Sequence, residues 1–317
     1  MNKKIAKIDM RDAFFERLTE VARINKRIVV LSADHGAFAL EEFQEKMPDR
    51  YINIGIAEQN MVGVAAGLAA SGKIVFIYGI TPFVSLRVLE QLALDVAAMR
   101  LPVNVISVGA GFTYSTDGPT HQGLQDVAAV STIPGMIILN SSDPINTRAF
   151  VDFAVKNEKP TYIRIEKEKL ENFEREESLR KAIISGFSII RNKNSRILII
   201  STGLLSHTSL EVADYFEKNL KINLDIIDLH RIRPLNATLS QKLVKYDFLF
   251  VLEEAYKSTI ASDLLKMIND NGIKIKFYSF DAGNKFHFNA ANRNKILKNV
   301  RLDRDNIVKI IENFIKQ

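Results

Sequence analysis

Two short stretches of this chain gather side chains of the kind that move protons and bind hydroxyl groups. The first is Asn53-Ile54-Gly55-Ile56-Ala57-Glu58-Gln59-Asn60-Met61, in which Glu58 is a lone carboxylate. It is followed by MVGVAAGLAA, apolar all round, which reads as a buried helix. A carboxylate entering such surroundings is costly unless something binds it, and desolvation favours its protonated form. That suits a group sharing a proton with a ring nitrogen. The position equally admits a plainer reading, an acidic residue favoured by the dipole of a first helical turn. The second stretch is Asp117-Gly118-Pro119-Thr120-His121-Gln122-Gly123, entered through Gly109-Ala110-Gly111. His121 is one of five histidines and stands among residues that restrict a turn. A lone loop histidine is ordinarily a surface residue, but open α/β sheets bind ligands in loops at the carboxyl ends of their strands.

The elements around these stretches alternate. Met10 to Asn25 has helical spacing with Asp9 as N-cap, and Ile28 to Ser32 reads as a buried strand. A helix from Gln59 to Ala70, a strand Ile74 to Tyr78 and a helix Val84 to Arg100 follow. Leu101-Pro102 breaks that helix before strands Val103 to Val108, Met136 to Leu139 and Tyr162 to Ile165. This predicts an α/β fold with a doubly wound parallel sheet over residues 1–165. Residues 166–190, rich in charge, read as a connector. A second doubly wound domain is expected over 191–317, with strands Ile197 to Ser201, Leu224 to Ile227, Phe248 to Leu252 and Ile275 to Ser279. Helices are expected over Ser206 to Lys218, Ser258 to Asn269 and Asp303 to Lys316.

Composition narrows the function classes. The 317 residues suggest about two domains, and with 47% hydrophobic and 25% charged residues they describe a globular protein. No apolar run approaches the ~20 residues of a membrane span, and MNKKIAKIDM lacks the apolar core of a secretory signal. A cytoplasmic protein without membrane contact is expected. With no cysteine, disulfide and thiol chemistry are excluded. The net charge of +6 comes from interspersed basic and acidic residues, as in EKNEK and RLDRDN, which argues against nucleic-acid binding. No metal ligand set is read in the chain.

GIAEQNMVGVAAGLAASG, followed about sixty residues later by DGPTHQG, resembles the pyrimidine-binding domain of transketolases and 1-deoxyxylulose-5-phosphate synthases. RVLEQLALDVAAMRLPV lies between them, and ILIISTGLLSHTSLEVA, IDLHRIRPL and VLEEAY are similar to the family's C-terminal domain. The likeness spans nearly the whole chain. Family members hold the cofactor's diphosphate and Mg²⁺ on a separate N-terminal domain with a GDG…N motif, which does not occur here. The resemblance therefore implies a split transketolase, dependent on thiamine diphosphate and Mg²⁺, whose partner subunit supplies the GDG…N site, with α2β2 assembly expected.

The resemblance also implies roles. Glu58 matches the glutamate that hydrogen-bonds N1′ of the aminopyrimidine ring and promotes loss of the thiazolium proton. Phe83 matches the aromatic that stacks on that ring, with Ile80 and Leu86 forming an aliphatic wall where relatives have aromatics. Asp117 and His121 match the pair that binds hydroxyls of the donor sugar, His121 with a catalytic part. Asp34 and His35 are further substrate contacts, as is Arg11. The sequence departs from the family at Phe38, where a serine is usual, and at Gly109, where a histidine is usual. An arginine is replaced within Ile165-Glu166-Lys167, leaving Lys167 in its place. Arg87 stands where it compensates. Lys lacks the bidentate fork that Arg offers a phosphate, so a substrate other than an ordinary terminal-phosphate sugar is expected. Glu253-Glu254-Ala255-Tyr256-Lys257-Ser258-Thr259 stands where relatives have a Gly-rich loop, and the C-terminal domain is read as a dimerisation and packing unit. The activity implied is transfer of a two-carbon ketol unit from a ketose to an aldose. The alternatives are decarboxylating condensation of pyruvate with an aldehyde, a 2-oxo-acid dehydrogenase β subunit, or a non-catalytic scaffold.

Overall fold

The computed structural model describes residues 7–256 and 259–316; Lys257 and Ser258 of the Gly-poor loop lie outside the described residues. β1 (Ile8–Asp9) leads into α1 (Met10–Ile24), and the Asp9 side chain accepts from Arg11 N as the expected cap. β2 (Ile28–Ser32), α2 (Phe38–Lys46), β3 (Tyr51–Asn53), α3 (Glu58–Ala70) and β4 (Ile74–Ile80) follow. After α4 (Leu89–Gln91) and a π-helical stretch (Leu92–Ala98) come β5 (Val103–Val108), α5 (Asp126–Val130), β6 (Ile137–Asn140), α6 (Pro144–Asn157) and β7 (Thr161–Ile165). The charged segment contributes β8 (Lys169–Leu170), antiparallel to β1, then α7 (Leu179–Ser185) and β9 (Phe187–Arg191). The second half adds β10 (Ile197–Ser201), α8 (Leu204–Tyr215), β11 (Asp225–Leu229), β12 (Arg231–Arg233) and α9 (Thr238–Leu243). It ends with β13 (Phe248–Leu252), α10 (Thr259–Asp270), β14 (Lys276–Phe280), α11 (Arg293–Asn299) and α12 (Arg304–Ile315).

Two sheets result. The seven-stranded sheet has the order β12-β6-β7-β5-β4-β2-β3, parallel except for β12, and the five-stranded sheet has β14-β13-β10-β11-β9, parallel except for β9. Strand β12 comes from the second half of the chain yet closes an edge of the first sheet. The halves are therefore interlocked. One apolar cluster runs from α3 (Met61, Val62, Ala65) through Val75, Val105 and Ile138 to Ile200, Ile227 and Val251 of the second sheet. Phe14, Phe76, Ile106 and Phe150 belong to a cluster with α1 and α6, and Ile199, Phe216, Phe250 and Ile307 to one with α8 and α12.

Three local expectations change. Residues Val84 to Arg100 do not form one α-helix: turns lead into α4 and the π-helical stretch. Val84, Val88, Leu92 and Val96 are all buried, a repeat of four that suits a wider helix better than 3.6 residues per turn. Helix α3 is buried on one stripe only, leaving Asn60, Gly63 and Gly67 exposed. The charge-dense connector is itself built into strands and a helix, because β8 and β9 each find a partner strand.

Candidate active site

The site gathers at the carboxyl ends of β2, β4 and β5. Asn53, at the end of β3, ties two of its loops: Oδ1 accepts from Asp34 N and Gly55 N at 3.0 Å each, and Nδ2 donates to Asp34 Oδ1 at 3.2 Å. Asp34 holds φ +57°, a left-handed conformation that short polar side chains tolerate. This arrangement sets the turn that presents Glu58 at the start of α3.

Glu58 is 2% exposed. Its Oε2 accepts from Arg87 Nη1 at 2.7 Å, while Oε1 is buried without a hydrogen-bond partner among the described residues. The carboxylate read as lone from sequence is thus half paired. The Arg87 guanidinium also lies 4.2 Å over the Phe83 ring centroid. The Phe83 ring meets His121 edge-on, with centroids 5.2 Å apart, and His35 at 6.5 Å. His35 Nδ1 is hydrogen-bonded to Ala33 O. The tight turn that aims Phe83 forms on Ile80, whose carbonyl accepts from Phe83 N at 2.9 Å and Val84 N at 3.1 Å. Leu86, 41% exposed, lines an open groove of about 530 Å³ with Gln59, Leu89 and Pro134.

His121 is carried by a loop closed at its base, where Gly111 N donates to Gly123 O at 2.9 Å and Gly123 N to Gly111 O at 2.8 Å. His121 N donates to Gly118 O at 3.0 Å, and its Nδ1 is 2.9 Å from Thr120 Oγ1. Nε2 makes no hydrogen bond among the described residues. Asp117, four residues earlier, is exposed and accepts from Thr116 Oγ1 at 3.3 Å.

Tyr114 was not foreseen. Its ring centroid is 6.1 Å from that of His121, and Lys167 Nζ sits 5.0 Å over its face. A Cβ on Gly109 would lie 2.5 Å from two of its ring atoms, so the glycine makes room for this ring. Burial pushes the Tyr114 phenol up. Arg11 Nε and Nη2 both donate to Asp9 at 3.1 Å, which commits this half-buried guanidinium to its neighbour. The only sequence signal for Tyr114 was the small residue at position 109. Asn53 had none beyond its place before the Glu58 turn.

The far side of the His121 loop meets the C-terminal half. Arg293 Nη1 and Nη2 donate to Glu166 at 2.8 and 3.1 Å, and Nε and Nη2 donate to Glu254 at 3.0 and 2.7 Å. Burial opposes the charge of Glu166, but Arg293 and the Thr113 hydroxyl hold it below the usual carboxylate range. Burial wins at Glu254, which is raised despite Arg293. Beside them Arg164 Nε donates to Asp126 at 2.9 Å, as does the Tyr162 hydroxyl.

The halves of the chain separately match known domains. The profile of the transketolase pyrimidine-binding domain matches residues 6–172, and that of the transketolase C-terminal domain matches 186–307. The chain belongs to the transketolase family. It is 33% identical over 231 residues to a 6-deoxy-6-sulfo-D-fructose transketolase subunit of Clostridium sp., covering 72% of this chain and 70% of that protein. It is 27% identical over 313 residues to an apulose-4-phosphate transketolase subunit of Phocaeicola vulgatus, covering 98% of each. A solved structure described as a split gene transketolase in an inactive β4 tetramer shares the fold, with a TM-score of 0.83 at 24% identity over 98% of this chain and 99% of that one. The protein is therefore a transketolase-type enzyme subunit with two α/β domains. Among the described residues, no helix of this transketolase subunit is long and apolar enough to cross a membrane.

Proposed function

We propose that this chain binds the aminopyrimidine end of thiamine diphosphate and, with a partner polypeptide that carries the GDG…N diphosphate and Mg²⁺ site, transfers a two-carbon ketol unit from a ketose to an aldose. The observation that carries this reading is Glu58 Oε1, a buried acceptor without a hydrogen-bond partner among the described residues, whose other oxygen is held by the arginine that lies over the Phe83 ring. Such an atom fits a ring nitrogen that carries a proton, and leaving it unpaired costs about 1–3 kcal/mol. The cofactor, when bound, supplies the electron sink for breaking and making a carbon–carbon bond beside a carbonyl.

The chain's own residues do the rest. Glu58 holds a proton at the ring nitrogen, and Phe83 gives the ring a surface to stack on once Arg87 moves off it. Offset stacking of this kind contributes roughly 0.5–1.5 kcal/mol beyond burial. His121 Nε2 and the Asp117 carboxylate face sugar hydroxyls, with Asp34 and His35 on the adjoining loop. Lys167 and Tyr114 meet the far end of the substrate, with Arg11 and Arg87 as the neighbouring cations. The aliphatic Ile80 completes the pocket wall, while Leu86 opens onto the neighbouring groove.

Support for a second chain comes from the surface. Ile56, two residues before Glu58, is 76% exposed, and the small-residue stripe of α3 is open. Grooves of about 980 and 530 Å³ exist, and neither is lined by Glu58, Phe83 or His121. We read these residues as one half of a site that a second chain completes. Co-expression with the polypeptide that carries the GDG…N motif, followed by a ketol-transfer assay, tests the proposal. Activity should require both chains, thiamine diphosphate and Mg²⁺; activity of this chain alone, or without the cofactor, overturns it. Comparing phosphorylated, sulfonated and neutral ketoses in that assay defines the end group that Lys167 and Tyr114 accept.

A further inference from the structure

The loop with Asp117 and His121 is held in place from the other half of the protein. Its rising stem is fixed at Phe112 N, which donates to Glu254 Oε1 at 2.7 Å, and at Ala110 O, which accepts from Arg293 Nη2 at 3.4 Å. Thr113 Oγ1 donates to Glu166 Oε2 at 2.6 Å, and Glu166 is itself gripped by Arg293. The returning stem is fixed at Leu124 O, which accepts from Tyr256 N at 2.8 Å, and at Gln122, whose Nε2 donates to His287 O at 3.1 Å. Arg164 ties the returning stem to the C-terminal half by donating to Gly123 O and to Glu254 O. Gly111 has φ +57°, and a Cβ there would lie 2.5 Å from Glu254 Cδ, so the backbone rests directly on that carboxylate.

We propose that Glu254 and Arg293 are positioning residues for the sugar-binding loop, setting where His121 stands relative to Glu58 and Phe83. The inference rests on the reading of Asp117 and His121 as sugar contacts. Adhesion alone does not explain the chemistry used. Buried ionic groups are poor glue, since packed apolar side chains of similar volume hold two halves together as well or better. What a planar guanidinium between two carboxylates adds is fixed direction. Here that direction ends on the backbone of the loop. Substrate loops built this way keep their reacting groups within the tolerance that positioning demands.

The test uses the reconstituted complex with the partner chain and the variants Glu254→Gln, Thr113→Val and His121→Ala. Glu254→Gln keeps the shape and an acceptor for Phe112 N but cannot accept from Arg293 on both atoms. It should raise KM for the ketose about tenfold, because small misplacements cost up to about a hundredfold, while Kd for thiamine diphosphate stays within about twofold. Thr113→Val removes one tether without altering a buried charge and should act in the same direction, about threefold. In the isolated chain, amide hydrogen exchange over 110–123 should quicken in both variants, with α3 unchanged. If Glu254→Gln does not fold, Thr113→Val decides. Loss of cofactor affinity in step with KM marks a merely structural role and overturns the inference, as do wild-type KM and exchange in both folded variants. His121→Ala separates the two readings. Should it leave sugar kinetics untouched, the site reading itself fails; should it cripple them while the other variants are normal, only the positioning inference fails.

Discussion

Two of the regions where the protein places carboxylates beside guanidiniums use them oppositely. Around Arg293, two carboxylates, a hydroxyl and backbone groups close a buried network, and each charge has a partner. Around Glu58, one oxygen faces an exposed arginine and the other faces nothing among the described residues. The first arrangement spends its hydrogen bonds on internal geometry and has none left for a ligand. The second keeps an acceptor in reserve in a place where water is excluded.

That contrast can be broken first at Glu58. Glu58→Gln should lower turnover of the reconstituted complex by at least ~10²-fold and up to ~10⁴-fold, the range of acid–base groups, with an unchanged melting temperature. A rate near wild type erases the distinction between the two clusters. The converse holds at the network. Arg293→Met strands Glu166 and Glu254 and should cost about 3–5 kcal/mol in denaturant unfolding, a loss that Glu58→Gln should not share.

Glu253 is the intermediate case. Its Oε2 accepts from Ile260 N at 3.1 Å, its Oε1 is buried without a partner among the described residues, and burial pushes its carboxyl up to about 7 from 4.5. Between those values the folded protein binds more protons than the unfolded chain, so stability is full below about pH 4.5 and falls as pH rises through 7. A shift of that size corresponds to roughly 3 kcal/mol. Glu253→Gln should therefore be more stable than wild type at pH 8 and equal to it near pH 4.5, as read by urea midpoints. Equal pH slopes in the two proteins would show that a further group serves the orphaned oxygen. The smallest effect sharpens the comparison at the ring. Phe83→Leu should weaken thiamine diphosphate binding to the complex by about 0.5–1.5 kcal/mol, measured by titration, and leave the Arg293 network intact.

Much of the candidate site was legible because its residues announce themselves locally. Glu58 opens an apolar helix, and His121 sits in a run of turn residues after a strand. Phe83 follows a proline just past a buried strand. Tyr114 was missed because its role depends on Gly109 and Lys167 standing near it in space. Glu254 and Arg293 were missed for the same reason on a larger scale: their contacts with Phe112 and Ala110 span 142 and 183 residues. The fold was similarly uneven. Alternating buried strands and helices predicted both sheets, but β12, three residues from the second half, joins the first sheet through pairing that its own sequence does not encode.

Sequence alone established the alternation of elements, the family, and which side chains are chemically able to act, since periodicity, turn residues and motif spacing are properties of neighbours along the chain. Tertiary structure decided which of those side chains meet, which are already paired, and which half of the molecule holds the other's loop. Those outcomes depend on where a guanidinium's fixed fork and a carboxylate's two oxygens arrive when distant segments pack. No local pattern specifies that arrival.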